Sequence, residues 1–388
     1  MHNILLVLNL YILVEFVLWL HRAMTMLSSI KQYSVMPALA WAAETVAPKV
    51  SLIIPCRNEA KNLLRLIPTL VAQDYPNLEI ILIDDRSEDG TYALLESAQK
   101  EYSQIRIIKG KSKPDDWTGK VHALQQGIDQ ASGEWFLFSD ADTQHQNHSV
   151  SSAIAHSQVR ELDFLTLTSH YLCESFFEYL IQPMAIGCFA VWFRLQDVNN
   201  PKSEVPLACG HFILIKKKVL EALGGFASIR GEVLEDLAIF KKAKQDGRFK
   251  IELAIGSHVF ATRMYDSFIA SWAGWRRIFM HSLERKPKVF LKKILGLIFN
   301  SLIPTLLPIA TFLIWKSGNQ AFEFTFWTSI GLVILIYFLR YKSHQAIKAP
   351  FWPILFHPIS ACIMIGIIMD CLIRLLRNQT VGWKGEQY

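Results

Sequence analysis

Residues 135–142 read Trp135-Phe136-Leu137-Phe138-Ser139-Asp140-Ala141-Asp142, an apolar run that ends in two carboxylates one residue apart. A short continuous run of this kind suits a strand buried on both faces, as in a parallel sheet. Similar runs precede it at residues 50–55, 79–85 and 105–109, each bounded by polar, Gly or Pro positions. Helical patterns lie between them at 60–73, 91–102 and 119–131. Strand and helix therefore alternate, which predicts an α/β fold with a mostly parallel, Rossmann-like sheet over residues 50–262.

In such sheets ligands bind beyond the carboxyl ends of the strands. The first strand ends in Pro55-Cys56-Arg57-Asn58-Glu59, the second in Asp84-Asp85, and the fourth in Asp140-Ala141-Asp142. Carboxylates crowded at one edge repel unless a cation or the N–H donors of a base are bound there. Asp140 and Asp142 project to one side of an extended chain. Together they suit Mg2+ or Mn2+, with substrate phosphate and water completing the shell. The stretch from Asp84 to Thr91 reads as a helix-capping loop with Ser87 or Asp89 as N-cap, which leaves Asp84 and Asp85 unexplained.

Gly119-Lys120 opens a helix, where a lysine opposes the dipole unless a phosphate is near. Glu235-Asp236 opens another that ends near Gly247; acids there either satisfy the dipole or supply a general base for an acceptor hydroxyl. Trp272-Ala273-Gly274-Trp275-Arg276-Arg277 reads as an interfacial belt or, through Trp275, Arg276 and Arg277, as a diphosphate or acceptor contact. His211, beside Gly210, reads as a satisfied core histidine. There is no G-x-G-x-x-G and no P-loop, so those nucleotide-binding signatures are missing. The six cysteines form no C-x-x-C and no zinc-spaced cluster, which predicts neither a disulfide framework nor a zinc site.

The chain has 388 residues, 51% hydrophobic and 19% charged, with a mean hydropathy of +0.23. That disfavours a wholly soluble protein, and the excess sits at the two ends. Residues 4–20 form an apolar run long enough to span a bilayer, read as an uncleaved anchor because no basic segment precedes it. Further apolar stretches occupy 294–315, 324–339 and 351–369. Arg22, Lys31 and Lys49 follow the first, Arg285 to Lys293 precede the second, and Arg340, Lys342 and Lys348 follow the third. The positive-inside rule then places residues 21–293 in the cytosol. A fourth full span would put Arg374, Arg377 and Lys384 outside, whereas a break at Pro353 and Pro358 would make the last segment re-entrant or interfacial; the sequence leaves both open, with one N-terminal and two to three C-terminal transmembrane helices expected. The expected organisation is an anchor at 1–21, a linker at 22–49 and a catalytic domain at 50–262, with 176–193 as an interfacial helix. A basic interfacial segment at 263–293, a membrane region at 294–376 and a tail at 377–388 follow. The net charge of +6 peaks at 285–293, where it would meet anionic headgroups; no nucleic-acid partner is expected.

In this order the motifs resemble the family 2 glycosyltransferases with the GT-A fold. The matching residues are Ile54 to Glu59, Ile83 to Thr91, Gly119-Lys120 with Ala123-Leu124, Asp140-Ala141-Asp142, Gly224-Gly225-Phe226 and Glu235-Asp236. The elements Trp117 to Lys120, Arg263-Met264-Tyr265 to Trp275 and Trp383-Lys384-Gly385 with Tyr388 are most similar to the membrane-anchored members linked to hopanoid, carotenoid and sphingolipid glycosylation. The resemblance implies an inverting transfer from a UDP-sugar to a lipid acceptor, in a multi-pass protein of a bacterial inner or plasma membrane. It implies Pro55, Asn58, Glu59, Asp84, Asp85, Lys120 and Asp140 at the nucleotide-sugar, Asp142 on the metal and Asp236 as base. Polymer-forming members carry Q-x-x-R-W, which is absent here. A polysaccharide synthase, a polyprenyl-phosphate sugar transferase and a non-catalytic nucleotide-binding membrane scaffold are the rival readings.

Overall fold

After a first helix, α1 (His2–Gln32), the apolar runs fold as β1 (Val50–Cys56), β2 (Leu78–Asp84), β3 (Ile105–Lys109) and β4 (Trp135–Ser139). The computed structural model describes residues 2–41, 46–283, 285–346, 348–380, 382–383 and 386–387. Helices α2 (Ala60–Val71), α3 (Thr91–Glu101) and α4 (Gly119–Ile128) connect the strands, each within a few residues of its expected position. Then come β5 (Thr143–His145), α5 (Ser149–Val159), β6 (Phe164–Thr168), β7 (His170–Tyr171), α6 (Phe176–Trp192) and β8 (Phe212–Lys216). Helices α7 (Lys217–Ala222) and α8 (Glu235–Asp246), with β9 (Ile251–Ile255) and β10 (Phe260–Thr262), complete the α/β part.

The main sheet has seven strands in the order β3-β2-β1-β4-β8-β6-β9. Strands β3, β2, β1 and β4 are parallel, β8 runs antiparallel to β4 and β6, and β9 pairs parallel with β6. The chain steps from β1 outward to β3 and returns to the other side of β1 at β4, so the strand order reverses between β1 and β4. Such a switch point opens a crevice at the carboxyl ends. Burial on both faces explains the unbroken apolar runs, for Val50, Leu52, Ile53, Ile54 and Ile80 to Ile83 are all inaccessible to solvent. Helix α2 covers the sheet with Leu63, Leu66 and Leu70. Each fully buried leucine contributes about 2 kcal/mol.

The chain divides into two compact units. One comprises Gln32–Leu172, Phe193–Met264 and Lys384–Tyr388 and holds the sheet. Its outermost strand, β9, is covered by Ser34 to Met36: Met36 N donates to Ile255 O and Ile255 N to Ser34 O, both at 2.9 Å. Helix α1 runs through Gln32, well into the stretch expected as linker.

The other unit comprises Met1–Lys31, Cys173–Trp192 and Tyr265–Trp383 and is helical. Besides α1 and α6 it contains α9 (Phe268–Ser282), α10 (Pro287–Leu297), α11 (Ile303–Lys316), α12 (Glu323–Ala346) and α13 (His357–Leu376). Among the described residues, four of its helical stretches are long and apolar enough to cross a membrane: Asn3–Thr25, Pro287–Lys316, Gln320–Gln345 and Trp352–Leu376. A π-helical turn at Ile298–Leu302 joins α10 to α11. Ile12, Trp19, Ala23, Leu307, Leu332, Ile336 and Leu339 form a core shared by α1, α11 and α12. Helices α6, α9, α10 and α13 form a second packed group. Pro353 and Pro358 do not interrupt α13: each sits in the first turn of a helical element, where a missing N–H breaks no intrahelical bond. Lys384, Gly385 and Tyr388, part of the terminal element noted in the sequence, lie outside the described residues.

Candidate active site

Strand β4 carries Asp140 and Asp142 out at the switch point. Because β8 is antiparallel to β4 and Ser139 pairs with Phe212, the chain enters β8 at the edge where β4 leaves it. His211 is thereby brought opposite Asp140. Ligand atoms of Asp140, Asp142 and His211 all lie within 4.8 Å of one another. The sequence reads His211 as a satisfied core histidine, but its Nδ1 is buried with no hydrogen-bond partner among the described residues. Burial holds this imidazole below its ordinary pKa, although Asp140 opposes the shift. The neutral form is the one that ligates metals. Two carboxylates and an imidazole fit a divalent cation such as Mg2+ or Mn2+.

The surroundings fix these ligands. Thr262 Oγ1, on β10, donates to Asp142 Oδ1 at 3.2 Å, and Arg263 N donates to Asp142 O at 3.0 Å. Ser139 Oγ donates to His211 O at 2.8 Å and lies 3.0 Å from His145 Nε2. Neither Thr262 nor Ser139 stands out in the sequence, since each acquires its role only through strand pairing.

Lys120, in the first turn of α4, pairs with Asp140 Oδ1 at 2.6 Å and with Glu235 Oε1 at 2.5 Å. Burial alone would lower its ammonium, but Asp140 and Glu235 outweigh that and raise it. The lysine set against the helix dipole is thus stabilised by two carboxylates. Thr118 Oγ1 donates to Glu232 O at 3.1 Å and Thr118 N to Arg230 O at 2.8 Å, which ties the start of α4 to the loop before α8.

Asp236 stands beside Glu235 at the start of α8. Its Oδ2 accepts from Gly210 N at 2.9 Å and its Oδ1 from Leu237 N at 2.8 Å. A Cβ on Gly210 would lie 3.2 Å from Asp236 Oδ2 and 3.4 Å from Glu235 Oε1, so any side chain there would press on both carboxylates. Burial, then repulsion from Glu235, raises the Asp236 carboxyl from 3.8 to about 6. Perturbations of this size cluster at functional sites.

At the ends of β1 and β2, Asp84 and Asp85 are buried. Asp84 Oδ1 has no hydrogen-bond partner among the described residues, whereas Asp85 pairs with Arg86 at 2.9 Å and Arg57 at 3.7 Å. Pro55 is the last but one residue of β1. Asn58 and Glu59 knit two loops together. Glu88 N donates to Asn58 Oδ1 at 2.8 Å, Asn58 N to Ser87 Oγ at 3.0 Å, and Glu59 N to Thr91 Oγ1 at 2.8 Å. Gly90, with φ of 91°, occupies the N-cap of α3 in place of the expected Ser87 or Asp89. Asp89 still accepts from Thr91 N at 3.1 Å.

Trp275, Arg276 and Arg277 belong to the helical unit. The Trp275 indole donates to Gln182 Oε1 at 3.0 Å, and Arg276 pairs with Asp370 at 2.8 Å. Trp272 Nε1 and Arg374 Nε donate to the same Asp370 carboxylate, at 2.9 and 2.8 Å.

An acidic switch-point edge with a triad of suitable donors for a metal ion and a buried carboxylate of raised pKa fits a glycosyltransferase of GT-A type. Residues 51–224 match the Glycosyl transferase family 2 model, and the chain is a glycosyltransferase that carries such a domain. It is 25% identical over 353 residues to 4,4'-diaponeurosporenoate glycosyltransferase of Staphylococcus aureus strain MRSA252, covering 87% of this chain and 88% of that one. The protein of the same description from strain USA300 is 24% identical over 346 residues, with the same shares. Among solved structures the chain is similar to mannosyltransferase PcManGT from Pyrobaculum calidifontis, determined in complex with GDP-Man and Mn2+. The TM-score is 0.52 at 17% identity, over 96% of this chain and 99% of that one, a likeness of fold.

Proposed function

We propose that this chain transfers a hexose from a nucleoside-diphosphate sugar, a UDP-hexose in the first instance, to a lipid acceptor, inverting the anomeric carbon. The observation that carries the reading is the convergence of Asp140, Asp142 and His211 with Lys120, Glu235 and Asp236 at one edge of the sheet. Asp84, with its unused buried oxygen, and Asp85 take the base and ribose, and Pro55, Asn58 and Glu59 wall the base pocket. Asp140, Asp142 and His211 would hold Mg2+ or Mn2+. Bound there, the cation supplies Lewis acidity that offsets charge on the leaving diphosphate. Lys120, now shared between two carboxylates, turns toward that diphosphate, and Glu235 positions it. Asp236 takes the acceptor hydroxyl proton while the C1–O bond to the acceptor forms and the C1–O bond to the diphosphate breaks. With a carboxyl near 6 it is ionised at neutral pH yet more basic than an ordinary aspartate.

The name of the staphylococcal relatives supports an apolar acceptor and favours a second form of the reading, in which the acceptor group is a carboxylate. Such an acceptor is ionised already and needs no base. Transfer at a membrane is supported by the four long apolar helices. The sheet unit and residues 263–293 are read as cytosolic, with 176–193 lying in the interface. Asp370 receives Arg276 from α9 as well as Arg374 from its own helix, so the end of α13 is held beside the basic segment that precedes α10. That supports an interfacial α13 and a cytosolic tail.

Purified full-length protein with Mn2+, labelled UDP-glucose and a bacterial lipid extract should move label into the organic phase, one sugar per acceptor, and Asp142→Asn should abolish this. No transfer to any lipid from UDP-hexoses or GDP-mannose refutes the reading. Sugar ladders would instead support a polymer synthase.

A further inference from the structure

We propose that a cleft inside the helical unit, centred on Arg340, binds the anionic head of a membrane amphiphile, a phosphate or carboxylate borne on an apolar tail. The cleft is lined on its polar side by Tyr179, Arg340, His344, His357 and Ser360. Arg340 makes no ion pair among the described residues, and its Nε is buried without a hydrogen-bond partner. No lining residue is acidic. The two imidazoles are already committed: His357 Nε2 to Ser301 Oγ at 2.8 Å, and His344 Nδ1 as donor to Pro350 O at 2.7 Å. Among the described residues, one permanent positive charge amid apolar helices is thus left without a counter-charge. Ionisable groups in such settings are costly and generally pair with something, which makes an unpaired one a candidate functional site.

The position suits a headgroup. Arg340 lies about five residues, roughly 8 Å of helix rise, before the end of the Gln320–Gln345 span, within reach of the interface for a snorkelling arginine. Lys342 and Lys348 follow it in the sequence. Trp352 stacks on Phe176 with ring centres 5.7 Å apart and meets Tyr179 at 5.3 Å, the aromatic character of a membrane interface. The guanidinium rests against α6 at Gly187, where a Cβ would come within 2.8 Å of Nη1. Its planar fork is built for bidentate oxyanions. Leu180, Met184 and Ile354 supply the apolar remainder of the lining, which an inorganic anion would not use.

The inference is independent of glycosyl transfer, so its failure leaves the proposed reaction untouched. Full-length protein in detergent is loaded with phosphatidylglycerol, oleate or phosphatidylcholine and examined by native mass spectrometry. Wild type should retain one phosphatidylglycerol or oleate at least about tenfold better than phosphatidylcholine. Arg340→Gln should lose that preference, and Arg340→Lys should keep part of it. Gly187→Ala keeps the charge but displaces the guanidinium and should lower retention severalfold, so the test stands even if Arg340→Gln folds poorly. Equal retention of anionic and zwitterionic lipids by wild type, or an unchanged preference in both Arg340→Gln and Gly187→Ala, overturns the proposal. Displacement of phosphatidylglycerol by millimolar inorganic phosphate also overturns it, by making the site one for free anions.

Discussion

Asp236→Asn tests the chemistry most directly. The asparagine carbonyl can still accept from Gly210 N, while its amide faces Leu237 N and loses that bond. One lost hydrogen bond costs about 1 kcal/mol, and removal of a buried charge beside Glu235 offsets part of it, so the fold should persist. The rate should not. Loss of a positioned general base lowers transfer by about 10^2 to 10^4, which is roughly 3–5 kcal/mol of barrier. In wild type a carboxyl near 6 is about ten to one ionised at pH 7, so kcat/KM should fall about tenfold per pH unit below 6. The variant should show no such limb. The assay is initial-rate transfer of labelled sugar to a hydroxylated lipid at saturating Mn2+, from pH 5 to 8, with UDP binding measured alongside. A variant within threefold of wild type on that acceptor, or with the same acid limb, refutes Asp236 as base. A carboxylic acid acceptor separates the two forms of the reading, because the variant should transfer to it at near the wild-type rate.

His211→Ala removes one of three ligands and should weaken Mn2+ binding at least about tenfold, read by electron paramagnetic resonance of free Mn2+ in the presence of UDP. Unchanged affinity would return His211 to a structural role. Gly210→Ala presses a methyl toward Asp236 Oδ2 and should lower kcat by about tenfold to a hundredfold through misplacement of the base, with Mn2+ affinity retained. Buried His145 is held at about 4 against an ordinary 6.5. The unfolded chain therefore takes up a proton near 6.5 that the folded chain refuses until about 4. Stability from this residue is complete above pH 6.5 and falls by about 1.4 kcal/mol per unit on acidification, about 2 kcal/mol by pH 5. The fall in thermal midpoint between pH 7 and 5 should be smaller in His145→Gln than in wild type; an equal fall would exclude His145 as its source.

Much of the catalytic unit is legible in the sequence because strands buried on both faces leave little freedom of composition. The runs at β1 to β4 announce themselves, and in a parallel sheet their polar ends must gather at one edge, which locates Asp84, Asp85, Asp140 and Asp142. The apolar helices are legible for a similar reason, since a span needs length and a near absence of charge. Local rules are less reliable at the loops. Gly90 takes the N-cap in the left-handed region, and the Asp89 carboxylate accepts from Ala60 N as well as from Thr91 N, each at 3.1 Å, binding two loops at once. Pro353 and Pro358 read as breakers but fall where a helix tolerates them.

Sequence by itself determined the alternation of elements, the acidic edge and the apolar helices, because periodicity and hydropathy are local properties that burial imposes residue by residue. Only the tertiary structure decided that β8 runs antiparallel to β4. Strand direction depends on pairing across the sheet, and a short apolar run looks the same in either sense. That reversal delivers His211 to Asp140 and Gly210 to Asp236, and the meeting of α4 with α8 delivers Lys120 to Glu235. It was likewise packing that bound Arg276 to Asp370 and left Arg340 without a counter-charge among the described residues. Whether a cation is paired depends on what lies beside it in space, which spacing along the chain does not encode.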